Sequence, residues 1–75
     1  MRITGDQAKA ARLLLGWKQK EFASSMRLSK TTVSHFETGR RQPSIATVSE
    51  IRFILEKAGV EFTDGSKPGV KLREV

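Results

Sequence analysis

The chain has 75 residues, and its 14 Lys and Arg against 8 Asp and Glu give a formal net charge of +6. That length makes one domain whose apolar core stabilises it only modestly, and the absence of cysteine excludes disulfides and thiolate metal sites. The apolar runs are too short to span a membrane and no signal-peptide pattern opens the chain, so a cytoplasmic protein is expected, with an anionic partner: nucleic acid ahead of a membrane surface.

Thr4-Gly5-Asp6-Gln7 reads as a capping box, the Thr4 hydroxyl accepting from a first-turn amide while Gln7 reaches back. A first helix is predicted from about Asp6 to Leu15, with Ala8, Ala11 and Leu15 on one face, Leu14 beside them and Arg12 at the edge. Gly16 is placed to end it. Trp17, the only tryptophan, reads as a packing plug between the first and second helices. The second helix should run from about Lys18 to Met26, although Lys18 stands where Ser or Thr would cap better.

Gln19 to Thr38 is the organising stretch. It holds two short apolar-periodic segments, Phe22/Ala23/Met26 and Val33/Phe36, separated by Arg27-Leu28-Ser29 with Ser29 as an N-cap. Two helices joined by so tight a turn must cross steeply, the second carried outward by the first, which is a helix-turn-helix. Projecting the third helix, about 30–38, at 100° per residue puts Val33 and Phe36 inward. Thr31, Ser34, His35 and Thr38 then point outward, with Lys30 at the flank. From Lys18 to Arg41 there are six cations and only two anions, Glu21 and Glu37, so the basic excess is concentrated here.

Pro43-Ser44 announces a fourth helix, with Ile45, Val48, Ile51, Leu55 and Ala58 at helical spacing to close the core and Gly59 to end it. Phe53 projects almost opposite Val48, so with Ile54 it is expected to meet either the C-terminal tail or a second subunit. The tail alternates in Val60–Thr63 and Val70–Arg73 around the Gly/Pro-containing segment 64–69, which predicts a β-hairpin lying on the fourth helix or pairing with a partner's strands.

Catalytic chemistry finds no foothold. There is no Cys, no Tyr, a single His without a carboxylate at i±4, and no Gly-rich phosphate loop. No catalytic residue, metal or cofactor is expected.

Gln19, Ala23, Leu28, Val33 and Ser34 fall in the spacing Q-x(3)-A-x(4)-hydrophobic-x(4)-[VI]-S, and Glu37-Thr-Gly39 followed by Arg-Arg-Gln-Pro-Ser44 extends the pattern. This resembles the lambda-repressor-like, Cro/C-I-type (Xre) family of small transcriptional regulators, over most of the chain. The resemblance implies an all-α, compact four-helix DNA-binding domain over residues 1–59. The hairpin tail, 60–75, belongs to the same domain or to a dimer interface. It also implies sequence-specific binding of double-stranded DNA, repressor-like, by a homodimer on a pseudo-palindromic operator with the third helix in the major groove. Lys30, Thr31, Ser34 and His35 match the family's base-contacting positions. Lys18, Gln19, Arg27, Thr38, Arg40 and Arg41 are the expected backbone contacts. Arg12 and Glu37 match a pair joining the first helix to the end of the third. Phe53, Ile54, Phe62 and Leu72 are the expected tail or dimer interface. The alternative is an antitoxin that neutralises a toxin partner and also binds DNA. Non-specific RNA or membrane-surface binding fits the charge but not the motif, and no membrane partner is expected. Two positions depart from the family: Arg27 replaces the usual turn glycine at a cost of roughly 1 kcal/mol, and Lys18 occupies a cap position.

Overall fold

The computed structural model describes residues 2–63 and 67–73. Four helices, α1 (Gly5–Leu14), α2 (Gln19–Ser25), α3 (Lys30–Glu37) and α4 (Ile45–Lys57), are followed by an antiparallel hairpin of β1 (Val60–Thr63) and β2 (Gly69–Leu72). Among the described residues, no helix is long and apolar enough to cross a membrane.

Local chemistry sets the helix ends. Thr4 and Gln7 form the reciprocal capping box of α1, while Ser29 and Ser44 accept from the amides of Thr32 and Thr47 at the starts of α3 and α4. The first three helices end in the same paired-amide motif. The residue two beyond the last helical position adopts a left-handed conformation in each: Gly16 (φ 73°), Arg27 (φ 56°) and Gly39 (φ 75°). Its amide, and that of the next residue, close back on carbonyls of the last turn. For α2 these bonds are Arg27 to Ser24 at 3.2 Å and Leu28 to Ala23 at 2.9 Å.

The core draws on every helix. Ala8 and Ala11 of α1, Phe22 and Ala23 of α2, Val33 and Phe36 of α3, and Val48, Ile51 and Leu55 of α4 are all buried, joined by Ile3 from the lead-in and Val60 from β1. Gly5 lets α1 seat against the end of α3, because a Cβ there would fall on the Phe36 carbonyl oxygen. Three apolar residues expected in or beside the core lie outside it. Leu14 projects about a quarter-turn from the buried stripe of α1, Ile45 occupies the first turn of α4 short of the packed layer, and Ala58 lies just past its last turn; all three are exposed.

The hairpin pairs Val60 with Leu72 and Phe62 with Val70, and it rests on two helices rather than on α4 alone: β1 packs on α4 and β2 on α1. Phe62 and Val70 pack onto the core, as does Ile54, whereas Leu72 (47 %) and Phe53 (62 %) stay exposed. β1 and β2 therefore leave Phe53 uncovered. The expected turn lies partly outside the described residues, at 64–66.

Buried Gln7 fastens the hairpin to α1. Its Oε1 accepts from the Thr4 amide at 2.9 Å, and its Nε2 donates to the carbonyls of Thr63 at 2.9 Å and Gly69 at 3.2 Å. One amide group thus serves both the helix cap and the strand ends, its oxygen and both hydrogens satisfied. Replacing Gln7 with Ala removes those donors and is expected to destabilise the protein by about 1–3 kcal/mol. Hydrogen exchange should quicken more in β1 and β2 than in α2; uniform exchange across the chain would refute the clasp.

Candidate nucleic-acid interface

The turn between α2 and α3 creates the presenting geometry. Buried Ala23 and Met26, with half-buried Leu28, seat α2 against α3. Left-handed Arg27 reverses the chain, and Ser29 starts the next helix with its Oγ 3.0 Å from the Thr32 amide. Val33 and Phe36 face the core. Lys30, Thr31 and Thr38 are exposed, and Ser34 and His35 are half-buried along the outer side of α3.

The angle of α3 is held by a buried polar network. Arg12 Nε donates to Glu37 Oε2 at 2.8 Å and Nη2 to Oε1 at 3.0 Å, a bidentate pair between α1 and the last residue of α3. Arg12 Nη1 donates to the Trp17 carbonyl at 2.8 Å, and Gln19 Nε2 donates to Glu37 Oε1 at 2.9 Å. Arg12 is 7 % exposed and Glu37 3 %, so both charges are withdrawn from water but fully matched by hydrogen bonds. Trp17 is half-buried, its ring centroid 5.6 Å from that of Phe22, and packs where α1 turns into α2.

Burying Glu37 also changes the surface field. Glu21 is spent locally, its carboxylate 3.3 Å from the Lys18 amide in a one-sided cap, since the Lys18 ammonium has no lone pair with which to return the bond. The cations Lys18, Lys20, Arg27, Lys30, Arg40 and Arg41 are all exposed, and among the described residues none of them is in an ion pair. The outer surface around α3 is thus more basic than the residue count alone indicates.

The expected backbone contacts fall into two groups. Lys18, Arg27, Arg40 and Arg41 carry exposed side chains with free donors. Gln19 and Thr38 are engaged internally: Gln19 gives an amide hydrogen to Glu37, and Thr38 Oγ1 donates to the Ser34 carbonyl at 3.0 Å. Sequence reasoning placed Gln19 at the start of α2 but missed that it braces Glu37. Local sequence spacing could not reveal it, because Gln19 and Glu37 are 18 positions apart.

Two short helices joined by a tight left-handed turn, a braced α3 and an uncompensated basic rim define a helix-turn-helix module. A helix-turn-helix family model matches residues 9–52. The chain belongs to this Cro/C1-type, Xre-like family of DNA-binding transcription regulators. The match ends at Arg52, before Phe53 and the hairpin. No curated protein matches the chain.

Two stability measurements probe this construction. Arg12→Ala and Glu37→Ala should each cost about 3–5 kcal/mol, because each leaves the other charge buried without its partner; near-neutral thermal melts for both would refute the brace. Arg27→Gly should raise Tm by about 4–8 °C, equivalent to roughly 1 kcal/mol, by relieving the left-handed strain at the turn. An unchanged or lower Tm would show that the turn carries no such strain.

Proposed function

We propose that this regulator binds double-stranded DNA sequence-specifically, with α3 in the major groove, as a repressor-like homodimer on a pseudo-palindromic operator. The observation that carries the reading is the outward face of α3, polar and, among the described residues, with the side chains of Lys30, Thr31, Ser34 and His35 in no hydrogen bond, braced by the Arg12–Glu37–Gln19 network. A groove-reading helix has to keep its side chains in register with base edges, and a rigid brace serves that need better than solvent-exposed contacts.

The roles follow from side-chain chemistry. Lys30 donates to guanine O6 or N7, and the Thr31 methyl group touches a thymine methyl. Ser34 and His35 supply shorter polar contacts deeper in the groove. Lys18, Arg27, Arg40 and Arg41 bind phosphates and set the register. Gln19 and Thr38 act on DNA through their internal bonds, by fixing α2 against α3 and tightening the last turn of α3. Residues 1–59 form the DNA-binding unit, and β1 and β2 buttress it. Subunit extents of 30 × 26 × 19 Å suit a side-by-side pair on half-sites about 34–36 Å apart.

A second reading, an antitoxin that also binds DNA, rests on the exposed Leu72 of β2, which could seat a toxin. It is compatible with the first.

Selection of binding sites from random duplex DNA supplies both a motif and a probe. On that probe, four phosphate contacts per subunit give a log K against log[salt] slope of about −7 for a dimer. Arg40→Ala should lower the slope by about 1 for each subunit and leave sequence preference unchanged. Lys30→Ala should relax preference at one base position by about 1–3 kcal/mol. Uniform weakening by both substitutions, with no change in preference, would refute base reading by α3.

A further inference from the structure

Among the described residues nothing packs on the outer face of α4, and its pattern is specific. Val48, Ile51 and Leu55 face the core, and the residues diametrically opposite them are Ala46, Glu50, Phe53 and Lys57, with Ser49 beside them. Phe53 is 62 % exposed at the centre of this stripe. Glu50 precedes it by one turn and Lys57 follows it by one turn, and among the described residues neither is in an ion pair.

We propose that this face pairs with the same face of a second copy, α4 antiparallel to α4 about a two-fold axis through Phe53. The inference rests on the homodimer reading above and supplies its interface. Antiparallel placement is the arrangement in which this stripe complements itself. Phe53 meets Phe53 at the axis, Glu50 of each copy meets Lys57 of the other, and the small side chains of Ala46 and Ser49 let the helices approach. A parallel pairing would instead set Glu50 against Glu50 and Lys57 against Lys57. Ile54 and Phe62, expected from the sequence at a tail or dimer interface, are packed onto the core, so the contact between copies falls to Glu50, Phe53 and Lys57.

Two helices of 13 residues meeting along one face bury at most the ~1,200 Å² typical of weak, transient pairs. The free protein is therefore a monomer–dimer mixture at roughly micromolar to submillimolar concentration, and two half-sites on one duplex draw the copies together through high effective concentration. Operator binding then becomes cooperative through α4 itself.

Charge-swap pairing in the full-length protein tests the geometry. Sedimentation equilibrium should show dimerisation of the wild type, and about tenfold weaker association for Glu50→Lys alone and for Lys57→Glu alone, since each sets like charges opposite one another at both ends of the interface. An equimolar mixture of the two variants restores opposite charges at both ends and should associate as the wild type does. Phe53→Asp should remain monomeric, keep the helical circular dichroism of the wild type, and still bind a duplex carrying one selected half-site. A mixture that associates no better than either variant alone overturns the antiparallel α4 pairing. A wild type that is monomeric at about 500 μM and also on a two-half-site duplex overturns it as well. Dimerisation with the charge-swap pattern intact but no duplex binding upholds the pairing and removes the groove-reading proposal instead.

Discussion

The bidentate contact between Arg12 and Glu37 is the interaction on which the arrangement of the helices depends. It ties α1 to the end of α3 across 25 positions of sequence, and both partners are nearly excluded from water. Two unmatched charges there would be ruinous in so small a domain, but each is fully engaged. Arg12 also satisfies the Trp17 carbonyl at the corner between α1 and α2, and Glu37 also accepts from Gln19 at the start of α2. One ion pair therefore fixes three helices and a turn at once. Apolar packing alone would tolerate small rotations of α3, because Val33 and Phe36 can re-seat among methyl groups. Directional hydrogen bonds to both carboxylate oxygens cannot follow such a rotation without breaking.

A second constraint acts on the opposite end of α1. A two-stranded hairpin is marginal by itself, and here it is held by Phe62 and Val70 on the core and by Gln7 at the strand ends. Gln7 is also half of the α1 cap, and the neighbouring Gly5 lies directly against the Phe36 carbonyl. The hairpin, the start of α1 and the end of α3 are thus linked through contiguous contacts. The tail buttresses the same helix that Arg12 uses to brace α3.

Much of this was legible in the residue order because the signals were local. Thr4 with Gln7, Ser29 and Ser44 announce helix starts through side-chain bonds three residues away, and Gly16, Gly39 and Gly59 mark ends through their left-handed backbone. What escaped was set by packing in three dimensions. Ile3 looks like a lead-in residue but is 1 % exposed, whereas Ile45 continues a helical apolar stripe yet is 66 % exposed. Periodicity identifies a face, not how far along the helix the neighbouring layer extends. The hairpin contact of Gln7 and the Glu37 contact of Gln19 escaped for another reason: an amide has no charge or shape that advertises a partner, and these lie 56 and 18 positions away.

The helix that suffers from local chemistry is α2. It has only 7 residues, too few to be stable alone, its start lacks a side-chain cap, and its closing motif is completed by a residue other than glycine. At its start Lys18 provides no side-chain acceptor, and at its end Arg27 takes the left-handed position that glycine fills in α1 and α3. Both deficits come from cations on the rim of α3. Stability of α2 is consequently borrowed from Phe22 and Ala23 in the core and from Gln19 bound to Glu37. That loan is affordable only while the Arg12–Glu37 brace holds, since Gln19 loses its acceptor when Glu37 moves. The brace therefore does more than orient α3. It allows α2 to carry charge at positions where helix chemistry disfavours it, next to the surface where an anionic ligand would reward that charge.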